Sequence, residues 1–373
     1  MNLQKLTVVV LLALLCNVRT VQAQDARGPR VTFYKTFTGT IAGQPVIMQW
    51  GNLPQNSQLY YEYLEYRQRI PLVLVPDSSS AGRLFFSEGL DDDGRPVGKP
   101  VWKCRYDQGR IAGTWYSADR KKNYPVLLKE ETPQGVQAFT YQSIDTTVFL
   151  FSENTTDDRS YDLEYSAPLA LGDSETADWV NRMIKKGQQY NPDLSLLENF
   201  TLRIDSNSAE YQVNRDNARD DSSGIWRWEM NNDVSVDYNQ DGYVILLTSG
   251  YQYSGGAHGG AWDLFECLDV ENKKVMVLSD IVSADSNVLE KMLEQQFRED
   301  YQLKATDSLT EYLFENKLMP NGNFSFDGSG LYFTYNQYEV APYVMGIISV
   351  MIPWEKLKPY LNREFSKRMR VRM

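Results

Sequence analysis

Residues 31–130 alternate apolar and polar positions in short segments that turn-rich connectors separate. LYYEYLEY, RLFFSE and VWKCRY show the alternation, and GLDDDGRPVG and SADRKKN are two of the connectors. A period of two places successive side chains on opposite faces of a β-strand. Strands repeated at intervals of about 8–12 residues are typical of antiparallel all-β domains. The pattern therefore predicts an antiparallel β domain over residues 31–130, either a sandwich or a small barrel.

A linker, EETPQGVQ, ends this region, and strands mixed with helices follow it. Apolar residues recur on one helical face after Asp173 and Ser174, either of which can cap a helix that continues to about Gln189. FTLRID and AEYQVNR are interpreted as strands. VSVDYNQDGYVILLTSGYQYSG predicts a β-hairpin that turns at Gln240–Gly242.

The last third of the chain continues the same mixture. WDLFECLDV and KKVMVL predict strands, and the apolar positions after Ser286 and over residues 309–316 predict two helices. NFSFDGSGLYFTYNQYEV predicts a second hairpin, GIISVMIP a buried strand, and residues 354–365 a closing helix. We therefore expect an α+β region of two lobes, one at 138–250 and the other at 251–373.

Residues 1–23 have the features of a secretory signal peptide. An apolar run from Leu6 to Leu15 follows a basic start, and Val21–Ala23 offers a small-residue cleavage site. Cys16 leaves a lipoprotein anchor open, although such signals favour a smaller residue than Leu15 before the cysteine. No later segment reaches the ~18 apolar residues of a membrane span. We therefore expect an exported protein, periplasmic or extracellular, without a transmembrane segment.

The chain is acidic, with a formal net charge of −11. Export would take Lys5 and Arg19 from the 38 basic residues and leave 36 against 49 acidic ones, a net charge of −13. Such a surface disfavours nucleic acid and favours cationic partners, and it also keeps a protein in solution. We expect Cys104 and Cys267 to be buried free thiols, because a chain of this length can build its core without disulfides. One long-range bridge between them stays open.

The stretch YQYSGGAHGG holds the only histidine of the chain, His258. A general base needs an orienting acid, and no G-x-S-x-G sequence that would carry a nucleophile occurs. Zinc usually takes several histidines or thiolates, so only a site that pairs His258 with Asp263 or Glu266 stays open. A phosphate-binding glycine loop leads into a helix, whereas a predicted strand follows here. We predict no catalytic residue, no metal and no cofactor, and we interpret the stretch as a structural turn.

Two further segments accompany this turn: LYFTYNQYEVAPYVMG at 331–346, followed by VMIPW, and LSDIV at 278–282. Together with YQYSGGAHG they resemble the RsiV-like extracytoplasmic domain family over residues 138–373. That family is a domain of unknown function, shared by the lysozyme-binding anti-sigma factor RsiV and the peptidoglycan deacetylase PdaC. The resemblance implies an α+β fold in an exported bacterial protein. The β domain before residue 130 lies outside the resemblance.

For this chain the resemblance implies binding rather than catalysis. The deacetylase carries its chemistry in a separate domain, and that domain's metal site needs more histidines than this chain has. We expect a non-catalytic binding protein whose partner is a cationic protein of lysozyme type or cell-wall glycan. We expect the partner to contact the turn and the second segment, at Tyr253, Gly255, Gly256, His258, Gly259, Tyr338, Pro342 and Tyr343.

Alternatives to this interpretation stay open. Tyr338 and Tyr343 could serve only to pack their lobe. The protein could instead be an enzyme that hydrolyses envelope glycan through two carboxylates about 5–10 Å apart in a deep cleft. It could also be a structural protein of the envelope. No spacing in the sequence singles out a carboxylate pair.

Overall fold

The computed structural model describes residues 32–53, 58–75, 82–151, 159–172, 174–218 and 226–371. The predicted signal peptide, residues 1–23 with Cys16, lies outside these ranges. Within them, no helix is both long enough and apolar enough to cross a membrane. Cys104 and Cys267 are buried free thiols, as predicted, and they belong to two different hydrophobic cores.

The first part of the chain forms an antiparallel sheet that closes nearly into a barrel. Strands β4 (Arg69–Pro71) and β5 (Val73–Leu74) lie on one segment, which joins the two ends of the sheet. Leu72 N–H donates to the Leu59 carbonyl of β3, and Val75 N–H to the Phe85 carbonyl of β6, each at 2.8 Å. The predicted β domain is confirmed in this form. Its strands are β1 (Phe33–Ile41), β2 (Gln44–Asn52), β3 (Gln58–Tyr63), β4 (Arg69–Pro71), β5 (Val73–Leu74), β6 (Arg83–Ser87), β7 (Val101–Asp107), β8 (Arg110–Tyr116) and β9 (Asn123–Glu130).

Large side chains fill the inside of this barrel. Phe86 and Trp102 are completely buried there. One oxygen of Glu88 accepts hydrogen bonds from the Tyr61 hydroxyl at 2.7 Å and from the indole N–H groups of Trp102 at 3.2 Å and Trp115 at 2.7 Å. Aromatic rings and their polar tips thus occupy the space that a small barrel can otherwise give to a ligand.

A six-stranded and a three-stranded sheet build the rest of the described chain. In the larger sheet the strands lie in chain order, and β11 and β12 pair in parallel. The predicted hairpin is confirmed between β12 (Trp228–Gln240) and β13 (Tyr243–Tyr253). Its turn residues Asp241 and Gly242 have φ angles of 55° and 74°, which suit a type I′ turn. The strands are β10 (Phe139–Phe149), β11 (Ser160–Ala170), β12 (Trp228–Gln240), β13 (Tyr243–Tyr253), β14 (Gly260–Asp269) and β15 (Lys274–Val275), then β16 (Phe324–Phe326), β17 (Gly330–Tyr335) and β18 (Ile348–Pro353).

Helices cover both faces of the six-stranded sheet. They are α1 (Glu175–Gly187), α2 (Leu196–Val213), α3 (Arg215–Ala218), α4 (Ser286–Asp300), α5 (Trp354–Leu357) and α6 (Arg363–Arg368). Val244 and Leu246 of β13 pack with α1 and α2, whereas Tyr243 and Ile245 pack with α4, α6 and the three-stranded sheet. Alternate residues of one strand therefore serve two cores. The lobe division expected at residue 250 falls inside β13.

The strands predicted for FTLRID and AEYQVNR are wrong, because helix α2 covers most of both segments. A capping box starts the helix: Ser195 accepts from the Glu198 N–H, and the Glu198 carboxylate accepts from the Ser195 N–H. Leu196, Phe200 and Tyr211 then face the core. The short alternation of apolar and polar residues imitated strands, and the cap was the signal to the contrary.

Other predicted elements are confirmed or shortened. Ser174 caps α1 as expected, and α4 begins at Ser286 as expected. The helix predicted over 309–316 is only the 3₁₀ turn Leu309–Glu311. The closing helix predicted over 354–365 is broken into α5, a 3₁₀ turn and α6, because Pro359 lacks the N–H that a continuous helix requires.

Buried charges join the barrel to the six-stranded sheet. Arg67 forms a hydrogen-bonded ion pair with Asp241 at the tip of the β12–β13 hairpin. Arg69 donates to the backbone carbonyl of Asp237 at 2.8 Å. The Glu62 carboxyl is completely buried beside them. Burial raises its pKa to about 7, although the charge of Arg67 opposes that rise.

Candidate functional site

The glycine-rich stretch is a turn between β13 and β14, as predicted. Gly255 and Gly256 have φ angles of 95° and 94°, which residues with a side chain rarely adopt. Tyr253, the last residue of β13, donates its hydroxyl to the Gly256 carbonyl at 3.0 Å. A Cβ atom on Gly259 would lie 2.4 Å from the Tyr251 hydroxyl oxygen, so only glycine lets that ring cross the backbone. The glycines therefore set the path of the turn and leave His258 at its exposed end.

Side-chain amides fasten the second segment to the turn. The N–H of Ala261 donates to the side-chain oxygen of Gln337 at 2.8 Å, and the N–H of Asp263 donates to that of Asn336 at 2.7 Å. The Asn336 amide also donates back to the Asp263 carbonyl at 3.1 Å. β13 pairs with one side of β14 at these positions, whereas β15 pairs with the other side only at Leu268 and Asp269. The amides therefore satisfy backbone N–H groups of β14 at positions that β15 does not reach. YNQY and GGAHGGA are therefore two halves of one local structure.

Three rings come together where the two segments meet. His258 stacks on Tyr343 with 3.9 Å between ring centroids and 22° between planes. The Tyr338 hydroxyl lies 3.3 Å from Nε2 of His258, and its ring centroid lies 5.8 Å from that of Tyr343. We call His258, Tyr338 and Tyr343 the aromatic patch. Tyr338 is 56% exposed, and the adjoining Val344 is 88% exposed.

The hydrogen bonds of His258 define its tautomer. Nδ1 lies 2.9 Å from the Gly259 carbonyl oxygen, which can only accept, so Nδ1 carries the proton. Nε2 then accepts from the Tyr338 hydroxyl. Both nitrogens are thereby used within the loop. Within the described ranges, no group of three or more His, Cys, Asp or Glu residues could hold a metal ion.

The structure brings the predicted site residues into one surface region. His258, Tyr338 and Tyr343 touch one another, and the exposed Pro342 begins the 3₁₀ turn Tyr343–Met345 that carries the stacked ring. Tyr253, Gly255, Gly256 and Gly259 shape the turn beneath them. Asp263 does not join His258 as an acid. Its carboxylate accepts from the Ser249 hydroxyl at 2.6 Å, and burial raises its pKa.

A second concave feature lies on the face of the six-stranded sheet that α1 and α2 cover. It is a cleft of about 560 Å³ between the end of α1, α2 and strands β12–β14. Trp262, Glu266 and Thr248 line it, together with Gln188 and Tyr190. The sequence prediction missed this cleft. Trp262 directly after GGAHGGA, opposite Gly250 in β13, was the one local signal for it.

Two family descriptions match this part of the chain. Residues 154–261 match the family described as deacetylase PdaC, and residues 279–355 match DUF3298, described as a protein of unknown function. The first match includes the GGAHG turn, and the second includes the segment that carries Tyr338 and Tyr343. The family resemblance inferred from these two segments is confirmed.

Two solved structures are similar to the chain. A DUF3298-family protein from Bacteroides fragilis aligns with a TM-score of 0.57 and 20% identity, over 64% of this chain and 99% of its own. A DUF3298-family protein from Pseudomonas aeruginosa aligns with a TM-score of 0.43 and 15% identity, over 60% of this chain and 95% of its own. The first likeness shows that the α+β fold is shared. No curated protein matches the chain.

Proposed function

Residues 154–261 and 279–355 belong to a DUF3298/PdaC-like family of extracytoplasmic domains, and on that premise we propose a non-catalytic binding protein. The family matches support an envelope-associated, exported protein. We propose that it recognises another protein through the aromatic patch. The leading candidate is a cationic protein of lysozyme type.

The observation that carries this proposal is the stack of the exposed His258 on the half-buried Tyr343, beside the exposed Tyr338. Exposed aromatic side chains are frequent anchors of protein interfaces when their conformation is fixed in advance. Here the side-chain amides of Asn336 and Gln337 hold the loop against β14, and the Tyr338 hydroxyl forms a hydrogen bond with Nε2 of His258. The loop and its rings are therefore already ordered before a partner binds.

Charge favours a cationic partner. Glu229 lies close enough to Tyr251, beneath the turn, for its charge to add to the burial that raises the pKa of that tyrosine. Glu339, next to Tyr338, is exposed and holds the loop by accepting from the Asn336 N–H at 2.8 Å. Carboxylates around an aromatic centre suit a basic surface, and the chain carries a net charge of −11.

The alternative of a glycan hydrolase requires two carboxylates facing one cleft. Among the described residues that line the 560 Å³ cleft, Glu266 is the single carboxylate. This arrangement supports binding over hydrolysis. A purely structural role would not explain why the aromatic patch is exposed.

The test is a calorimetric titration of the protein with a cationic lysozyme, and separately with muropeptides. We expect saturable heat with lysozyme, an affinity that falls as salt rises, and at least about tenfold weaker binding of Tyr343→Ala. Tyr66→Ala, which removes a 64% exposed ring from the barrel, is the matched control and should bind as the wild type does.

Three outcomes would contradict the proposal. Absence of heat with lysozyme at micromolar protein would remove the leading partner, and heat with muropeptides alone would redirect the function to glycan. Wild-type affinity of Tyr343→Ala would remove the aromatic patch as the binding surface.

A further inference from the structure

The cleft on the α1 and α2 side of the sheet is built from other residues than the aromatic patch. Its volume of about 560 Å³ is within the range of small-molecule sites, about 300–1,000 Å³. His258, Tyr338 and Tyr343 are not among the residues that line it. A ligand of moderate size could therefore occupy the cleft while a protein contacts the patch.

An aromatic platform forms one wall. The Trp262 ring lies over Gly250 of the neighbouring strand so closely that a Cβ atom there would be 2.1 Å from a ring carbon. Gly250 thus fixes the ring against the sheet, and the ring itself stays half-buried in the cleft. A fixed and partly exposed indole offers a flat apolar surface to a ring-shaped ligand.

Polar groups on the floor of the cleft are held in place by one another. Gln188 donates to the Thr248 hydroxyl oxygen at 2.7 Å, and Asn232 donates to the side-chain oxygen of Gln188 at 2.9 Å. The Thr248 hydroxyl can still donate its own hydrogen, and the side-chain amide oxygen of Asn232 can still accept a hydrogen bond. The floor therefore offers a preorganised donor and a preorganised acceptor.

Tyr190 adds a polar group that lacks a partner. Its side chain is only 8% exposed, and its hydroxyl makes no hydrogen bond within the described residues. Buried hydroxyl groups are nearly always hydrogen-bonded, and leaving one unpaired costs free energy. Tyr190 lines the cleft, so a polar ligand atom entering it would supply the missing partner.

The charges of the cleft balance. Glu266 and Arg203 are its two charged side chains among the described lining residues. Burial raises the pKa of Glu266, and the nearby Lys186 opposes that rise. A cleft with one acid and one base selects for neither an anion nor a cation. It suits a neutral ligand rich in hydroxyl groups.

We infer that this cleft binds a short neutral saccharide, stacked on Trp262 and hydrogen-bonded by Thr248, Asn232 and Tyr190. The inference rests on the proposed function only in taking the chain to be an envelope binding protein. Its site, ligand class and test are separate from those of the aromatic patch.

The test is an NMR titration of the full chain labelled with ¹⁵N, in which Trp262→Phe identifies the Trp262 indole signal. The probes are a tetramer of β-1,4-linked N-acetylglucosamine and the matching glucose tetramer, each to about 10 mM, which exceeds a millimolar Kd tenfold. We expect a saturable shift of the Trp262 signal. Response to the first probe alone assigns an acetamido sugar, and response to both assigns sugars generally.

Two variants locate the saccharide. Trp262→Ala has lost the indole signal and is followed through the backbone amide signals of Thr248 and Asn232. It should bind at least about tenfold more weakly, as the loss of one central aromatic contact produces. Tyr343→Ala, which alters the patch and leaves the cleft, should bind as the wild type does. If Trp262→Ala fails to fold, Thr248→Val removes one hydroxyl from the floor and should weaken binding severalfold.

Three results would overturn the inference. One is the absence of a saturable shift with both tetramers. Another is wild-type affinity in both Trp262→Ala and Thr248→Val. The third is binding that Tyr343→Ala abolishes, because the saccharide would then lie on the patch. Cleavage of a tetramer during the titration would instead contradict the non-catalytic proposal and leave the saccharide site in place.

Discussion

The barrel and the six-stranded sheet use aromatic side chains in opposite ways. In the barrel, Trp102 is completely buried and its N–H is satisfied by Glu88. In the sheet, Trp262 lies half-buried at the wall of an open cleft. Closure of the barrel directs half of its side chains into one enclosed core. The open sheet is covered only in part by α1 and α2, so it leaves surface for recognition.

Trp102 and Trp262 contribute to different properties of the protein. A ring in a closed core stabilises the fold through the area it buries and the contacts it makes. A ring fixed over a glycine at the edge of a cleft contributes less to folding and more to contact with a ligand. The barrel therefore has a closed core of its own, and the buried ion pair Arg67–Asp241 joins it to the six-stranded sheet.

Removal of the Trp102 and Trp262 rings, one at a time, tests this difference between the barrel and the sheet. We expect Trp102→Ala to lower the free energy of unfolding by about 3–5 kcal/mol and to leave saccharide binding unchanged at a temperature where the variant is folded. Trp262→Ala should cost only about 1–2 kcal/mol, because part of its area is already in water. Urea unfolding measures both changes. Equal losses in the two variants would show that the cleft is core rather than site.

A second prediction concerns the junction between the two regions. The pKa of Glu62 is about 7 in the folded protein and lies near 4.5 when the carboxyl is free, so the folded state binds more protons between these pH values. Stability should therefore fall as pH rises from about 4.5 to about 7, by up to about 3 kcal/mol from this group. Glu62→Gln should flatten that part of the profile.

The measurement is urea unfolding of wild type and Glu62→Gln at several pH values from 4.5 to 8. The variant should be the more stable protein at pH 8, where the wild-type carboxylate is buried and charged. A profile with the same slope in both proteins would show that Glu62 does not titrate in this window.

The smallest effect is expected for His258→Asn. The variant loses the stack on Tyr343, worth about 0.5–1.5 kcal/mol, while asparagine can still donate to the Gly259 carbonyl. We expect a lowered melting temperature and lysozyme affinity within about threefold of wild type. Unchanged melting together with abolished binding would show that His258 acts only by contact with the partner and does not support the loop.

Local patterns predicted much of this fold from sequence. Alternation identified the β domain, and Asp241–Gly242 identified a hairpin, because both signals depend on near neighbours in the chain. Helix α2 was missed, since its alternating polar residues imitate strands and only the capping box at Ser195 signals a helix.

The aromatic patch and the cleft also differ in how far the sequence predicted them. Two sequence segments marked the aromatic patch, and the amides of Asn336 and Gln337 explain why those segments occur together. The cleft was not predictable, because Gln188, Asn232 and Trp262 come from three elements that only the folded sheet brings together.

Hydrogen exchange in the presence of a cationic lysozyme tests the central claim most directly, because it reports every region at once. We expect slower exchange at residues 254–260 and 337–346, with the barrel strands unchanged. Slower exchange confined to the barrel, with none in those two loops, would contradict the assignment of binding to the aromatic patch.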